Sequence, residues 1–170
     1  MSALRLRPLR LEDEHAVHAA QRVMAADDFE FAFDLANDTD WPSYVAEHAR
    51  LRSGLDLPPD RVPASFLVAT IDEVIVGRTS IRHELNDWLL AFGGHIGYGV
   101  LPPFRRRGYA TEILRQSLII ARSFGVNAVL VTCDDDNVGS ITVIERCGGV
   151  LDPDWPKTDE TSPKRRYWIA

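Results

Sequence analysis

The stretch from residue 95 to residue 111, His95-Ile96-Gly97-Tyr98-Gly99-Val100-Leu101-Pro102-Pro103-Phe104-Arg105-Arg106-Arg107-Gly108-Tyr109-Ala110-Thr111, changes period halfway along. Up to Val100 it reads as a strand, with His95, Gly97 and Gly99 on one face and Ile96, Tyr98 and Val100 on the other. From Ala110 onward, Ile113, Leu114, Ser117, Leu118 and Ala121 recur at helical spacing as far as Gly125, a C-cap candidate. The joint between them holds two prolines, three consecutive arginines and a glycine. A helix start presents unpaired amide donors and the positive end of the helix dipole. Arginines before it, with Gly108 and Ala110 keeping the turn uncluttered, make a cradle for phosphate oxygens. A surface turn with a basic cluster is the plain alternative; strand, prolines, arginines, glycine and helix falling together favour the anion site. No Gly-Lys-Ser/Thr occurs, so this is not a P-loop, and Pro102 stands where a dinucleotide fingerprint needs its third glycine.

Working outward, Leu4–Leu9 alternates as a first strand and residues 12–25 carry a helical apolar spacing. A second helix is expected from Ser43 to about Arg52, before the Gly/Pro-rich loop Gly54 to Pro63. Ser65–Thr70 and Val74–His83 read as strands joined in a hairpin by Ile71-Asp72-Glu73, and Phe92–Val100 as the next strand. Ala128–Cys133 is a short apolar run, as in a strand buried on both faces. Asn137 is an N-cap candidate for a helix that Gly148-Gly149 stops. Asp152–Lys164 reads as a polar loop and Arg165–Ile169 as a terminal strand. The order β-α-α-β-β-β-α-β-α-β predicts an α/β (α+β) fold, a mixed sheet with helices on its faces.

The 170 residues, 45% apolar and 26% charged, suit one globular domain over 1–170. No apolar run reaches the ~18 residues a membrane helix needs, and the N-terminus does not resemble a signal peptide; these readings predict a cytoplasmic protein with no membrane partner. Cys133 and Cys147 lack zinc-ligand spacing and are expected as free thiols. The net charge is −6, yet residues 1–90 hold 16 acids and 9 bases while 91–170 hold 9 acids and 10 bases. Such a surface does not attract nucleic acid, although one local spot can hold an anion. His15 and His18 sit three apart without a third ligand nearby, and no metal site is predicted. The tryptophans Trp41, Trp88 and Trp168 read as core or rim aromatics.

Arg105-x-x-Gly108-x-Ala110 resembles the Arg/Gln-x-x-Gly-x-Gly/Ala signature of the GNAT superfamily of N-acetyltransferases. On either side, His95-Ile96-Gly97-Tyr98-Gly99-Val100-x-Pro102 is similar to that family's central strand, and Asn137-x-x-Ser140 to its Asn-x-x-Ser/Ala helix. The likeness covers residues 65–150, about half the chain; the N-terminal strand and two helices agree in order only. It implies a mostly antiparallel central sheet of about six to seven strands flanked by about four helices. It also implies acetyl-CoA as co-substrate and an amine of a small molecule, peptide or protein as acceptor. By motif position the backbone of Arg106, Arg107, Gly108, Tyr109 and Ala110 would bind the pyrophosphate, with Arg105 adding charge. Free backbone groups at Tyr98 and Val100 would pair with the pantetheine arm as an added strand does, and Asn137 would meet that arm from the other side.

Transfer to an amine needs the amine neutral, an oxyanion stabilised and a thiolate released. Glu84, at the end of its strand, and His95, on the central strand, are the candidate bases, against a plain reading as a solvated acid and a hydrogen-bonded histidine. Two family features are absent: Ile144 stands where many members have a thiolate-protonating tyrosine, and Gly149 where a phenylalanine is common. Tyr98 and Tyr167 are the alternative acids, or none is needed for a thiolate. Phe29, Phe31 and Phe33 lie among Asp27, Asp28, Glu30 and Asp34; in this family the acceptor is held nearby, and acids there would favour a cationic amine, unless they form a solvated face. The competing function is a non-catalytic acyl-CoA-binding module on the same fold, and a homodimer through an open sheet edge is compatible with the sequence.

Overall fold

A computed structural model describes residues 3–153 and 163–170. Four strands, β1 (Arg5–Pro8), β2 (Ala64–Ile71), β3 (Val74–Arg82) and β4 (Ile96–Val100), form an antiparallel sheet in that order. A second antiparallel sheet has the order β5 (Val129–Asp134), β7 (Lys164–Ile169), β6 (Val150–Leu151). The helices are α1 (Glu14–Met24), α2 (Trp41–Ser53), α3 (Tyr109–Ser123) and α4 (Val138–Arg146). The mixed α/β architecture is the one expected, with β6 added; every ladder among the described residues is antiparallel. The expected loop Asp152–Lys164 lies largely outside the described residues.

Sequence chemistry accounts for the local turns. Asp40 caps α2 by accepting the Ser43 amide at 3.0 Å, with Pro42 in the first turn. Asp72 and Glu73 both take positive φ, 49° and 65°, the two-residue hairpin turn that matches strand twist. The third central strand starts later than its apolar run suggests. Leu89–Gly93 winds into a π-helical turn and Gly94 sits at φ 64°.

Two faces follow from β3 and β4. Thr79 and Ile81 face α3, where the Ser117 hydroxyl donates to Thr79 Oγ1 at 3.0 Å and Ile81 joins a core with Ile96, Leu114, Leu118, Val129, Val131 and Tyr167. On the opposite face a second core gathers Val17, Met24, Phe31, Trp41, Phe66 and Val68 from α1, α2, β2 and the segment between the helices. The position of β4 between these two layers places the site.

Candidate active site

No hydrogen-bond ladder joins β4 to β5; the two strands meet at one end. There the His95 amide donates to the Leu130 carbonyl at 2.7 Å and the Leu130 amide to His95 Nδ1 at 2.9 Å. Gly94 permits the approach: a Cβ on it would fall 2.7 Å from the Leu130 oxygen. Beyond this latch the strands part. The Arg82 amide donates to the His95 carbonyl and the Leu101 amide to the Val76 carbonyl, so the odd-numbered residues of β4 bond to β3. The even-numbered ones, including Tyr98, turn their backbone groups toward β5.

At the open end the chain turns into α3. A short 3-10 turn over Pro102–Phe104 leads to Arg106 at φ 63° and to Gly108 at φ 80°, which caps α3. Backbone amides from Arg106 to Thr111 find no acceptor among the described residues, which is the pattern of an anion-binding nest at a helix start. The arginines divide their work in a way that spacing does not reveal. Arg105 turns back toward α1: it donates to the Val100 carbonyl at 3.0 Å and to Asp27 at 2.6 Å. Its charge is thereby compensated, and the Val100 carbonyl expected to be free is taken, leaving that residue's amide. Arg107 lies over Phe104 and donates to the Pro103 carbonyl at 3.2 Å. Arg106 is exposed and engages no side-chain partner among the described residues. Tyr109 and Ala110 pack against Val100 and Ile113.

Facing the cradle, Asn137 caps α4 by accepting the Ser140 amide at 3.0 Å, so its side-chain NH2 remains available. Tyr98 is largely enclosed, its hydroxyl near Ser140 and the two free cysteines, and burial pushes its ionisation well above the usual tyrosine range. Tyr167 is enclosed in the core, its hydroxyl 3.4 Å from Glu145. Ile144 is fully buried and lies against Gly149, where a Cβ would fall 2.5 Å from its side chain. The two departures from the family pattern therefore fit one another.

The two candidate bases fare differently from expectation. Glu84 is exposed past the end of β3, at the closed end of the strand pair, and engages no partner among the described residues. His95 is buried; burial, then the neighbouring Arg82, lowers its pKa to about 4. Its Nδ1 lone pair accepts the Leu130 amide, so a neutral ring carries its proton on Nε2 and has no lone pair left to take another. The histidine closes the strand pair.

On the α1/α2 face of β4 the charge is opposite to what the acidic stretch 27–40 suggests. Three of its carboxylates are engaged locally: Asp27 with Arg105, Glu30 with the Asp34 amide, Asp34 with Arg61. Inward stand two arginines of β3 absent from the sequence-based site. Arg78, enclosed between Phe29 and Phe33, donates to the carbonyls of Glu30, Phe31 and Gly97 at 2.7–3.0 Å. Arg82 stands beside Gly97, its Nη1 donating to the Gly93 carbonyl at 3.3 Å. The available signal was two arginines four apart within an apolar strand, opposite the glycines of β4. Among the described residues no group of three or more His, Cys, Asp or Glu side chains is placed to hold a metal.

A strand pair parted beside an amide-lined helix start defines a coenzyme-binding acyltransferase scaffold. Residues 3–150 match the Acetyltransferase (GNAT) domain family, and the chain belongs to it. No curated protein matches. Among solved structures the chain is similar to RimL, the ribosomal L7/L12 alpha-N-protein acetyltransferase in complex with coenzyme A, at 17% identity and TM-score 0.72, covering 99% of this chain and 94% of that one. It resembles the microcin C7 self-immunity acetyltransferase MccE, in complex with acetyl-CoA and AMP, at 17% identity and TM-score 0.72, covering 98% and 92%. It also resembles yncA from Salmonella typhimurium, solved with its cofactor acetyl-CoA, at 14% identity and TM-score 0.66, covering 98% and 93%. At these identities the likeness concerns the fold.

Proposed function

We propose that this chain is an N-acetyltransferase that moves the acetyl group of acetyl-CoA directly to a primary amine of a small molecule, peptide or protein. The observation that carries this reading is the run of amides from Arg106 to Thr111 without acceptors, at the open end of two parted strands. Those amides suit the pyrophosphate, the Tyr98 and Val100 amides suit the carbonyls of the pantetheine arm, and the Asn137 NH2 suits the same arm from α4. Acetyl-CoA supplies an activated thioester and a thiolate leaving group. The protein's share is orientation and a field that disfavours a charged amine. Arg78 and Arg82, both on the acceptor face, oppose an ammonium ion there, so the acceptor attacks as the neutral amine, and the proton it sheds on becoming an amide passes to the departing CoA thiolate. The Ser65 hydroxyl lies 2.9 Å from His83 Nε2, but Ser65 is buried opposite Ile81, so the transfer is read as direct rather than through a covalent acyl-serine.

Calorimetric titration with acetyl-CoA, repeated on Gly108→Trp, tests the reading. A Cβ at Gly108 meets nothing within 4 Å, so the bulky side chain projects into the open space of the cradle, at the cost of roughly 1 kcal/mol of backbone strain. The parent is expected to bind and the variant to lose at least tenfold in affinity while retaining its fold. No binding by the parent removes the reading. Binding without amine-dependent release of CoA would identify the non-catalytic module that the Ile144 substitution favours.

A further inference from the structure

Arg78 and Arg82 are a pair of desolvated cations on one face of β3, and no carboxylate forms an ion pair with either among the described residues. The two have different tasks. Arg78 is fully enclosed and its three donations, all to backbone carbonyls, rivet the segment Glu30–Phe31 to Gly97 of β4. Arg82 is held more loosely, its guanidinium 5.8 Å from the centre of the Phe33 ring. Of its five N–H donors, one reaches Gly93 at 3.3 Å, a long bond to a neutral group, while the guanidinium remains within reach of solvent. Burial pulls its pKa down to about 10, and its charge adds to the burial that lowers Arg78. An arginine held this way is an expense to the fold unless something compensates it.

The coenzyme's phosphates do not fit that role. The Arg82 guanidinium stands beside Gly97, toward the latched end of β4, while the cradle begins after Val100, roughly 10 Å farther along the strand. Gly97, the β4 residue beside Arg82, lies on the α1/α2 face, and the missing side chain leaves the guanidinium room over the strand. We infer that Arg82, with four N–H donors unspent and no carboxylate of its own, receives an anionic oxygen group of the acceptor, a carboxylate or phosphate borne close to the amine. This rests on the acetyl-transfer reading for the location of the amine and reverses the substrate charge suggested by the acidic stretch 27–40. A guanidinium fork binds such a group through two parallel hydrogen bonds, which a neutral analogue cannot supply.

The test uses the dead-end complex with CoA, so no turnover is required. Each of the twenty α-amino acids is titrated against its α-amide, and phosphoethanolamine against ethanolamine, with the parent and with Arg82→Gln and Arg82→Lys. At least one anionic amine is expected to bind roughly 10- to 100-fold more tightly than its neutral counterpart. The arm in which this occurs distinguishes carboxylate from phosphate. Arg82→Gln is expected to erase the difference while CoA affinity is unchanged, and Arg82→Lys to retain part of it. Because Arg82 makes one weak bond, Arg82→Gln should melt no lower than the parent. Equal or absent binding of every acid and its neutral partner overturns the inference, as does a preference that survives Arg82→Gln or a melting temperature that collapses in it. Failure of CoA itself to bind removes the acetyl-transfer reading, and the same titrations on the free protein then decide the anion site alone.

Discussion

At His95 a single hydrogen bond decides what an imidazole can do. The ring accepts the Leu130 amide through Nδ1 and so holds the closed end of the β4–β5 pair. If this is its work, His95→Asn, whose side-chain oxygen occupies a place similar to Nδ1, should retain most acetyl transfer. His95→Ala should lose about 1–3 kcal/mol of stability, the cost of a buried amide left without an acceptor. Urea unfolding and a pH–rate profile check this together. A profile whose acidic limb vanishes in His95→Asn would make the histidine a base after all. Arg105 carries the same lesson, since its ties to Asp27 and Val100 make it the brace of the cradle loop.

At the level of elements, β1 is fastened to the start of α1 through Arg7 and Asp13. The guanidinium meets the carboxylate in two bonds of 2.7 and 2.8 Å, and the Arg10 amide adds a third at 2.8 Å. Both side chains are largely shielded, at 12% and 6% exposure, so the pair cannot be dismissed as a surface contact. Burial alone would push the Asp13 carboxyl up; the Arg7 and Arg10 bonds outweigh it and hold the group below its ordinary 3.8. The pair's contribution is therefore complete above about pH 4 and is lost as pH falls through the lowered value. Asp13→Asn at pH 7 should cost about 1–3 kcal/mol, because it leaves the shielded guanidinium only its longer contact with Glu73 at 3.9 Å. A loss below 1 kcal/mol in chemical denaturation would mean that solvent compensates Arg7. The same packing explains why β4 is shorter than its apolar run. Gly93 and Gly94 turn the chain so that the His95 amide meets β5 while its carbonyl accepts from Arg82, and residues before His95 leave the ladder.

Across the whole molecule, His48, His83 and His95 all have lowered pKa values, with burial the leading cause; those of His48 and His95 fall to about 4. The folded protein keeps them neutral while the unfolded chain takes up protons near pH 6.5, so protons bind preferentially to the unfolded state between those limits. Stability should be flat above about pH 7 and fall steadily from pH 6.5 to 4, before the carboxylates of the Asp13 kind begin to titrate. Urea midpoints at pH 7.5, 5.5 and 4.5 read this directly; equal midpoints would mean that the three rings open to water at little cost.

Composition, period and spacing were enough to place most elements and the turn into α3, because those features depend on neighbours in the chain. The helix starting at Tyr109, the Asp72-Glu73 hairpin and the Asn137 cap are local, and residues a few positions apart encode them. The catalytic side was less legible for the opposite reason. Whether His95 is a base or a latch depends on an amide 35 residues away, and whether Arg105 is a charge or a brace depends on Asp27, 78 residues away. The charge on the α1/α2 face of β4 was decided only in three dimensions, where Asp27, Glu30 and Asp34 bond to nearby donors and the arginines of β3 face in. Pairing partners distant in sequence decide what a charged side chain has left to offer, and only the folded chain brings those partners together.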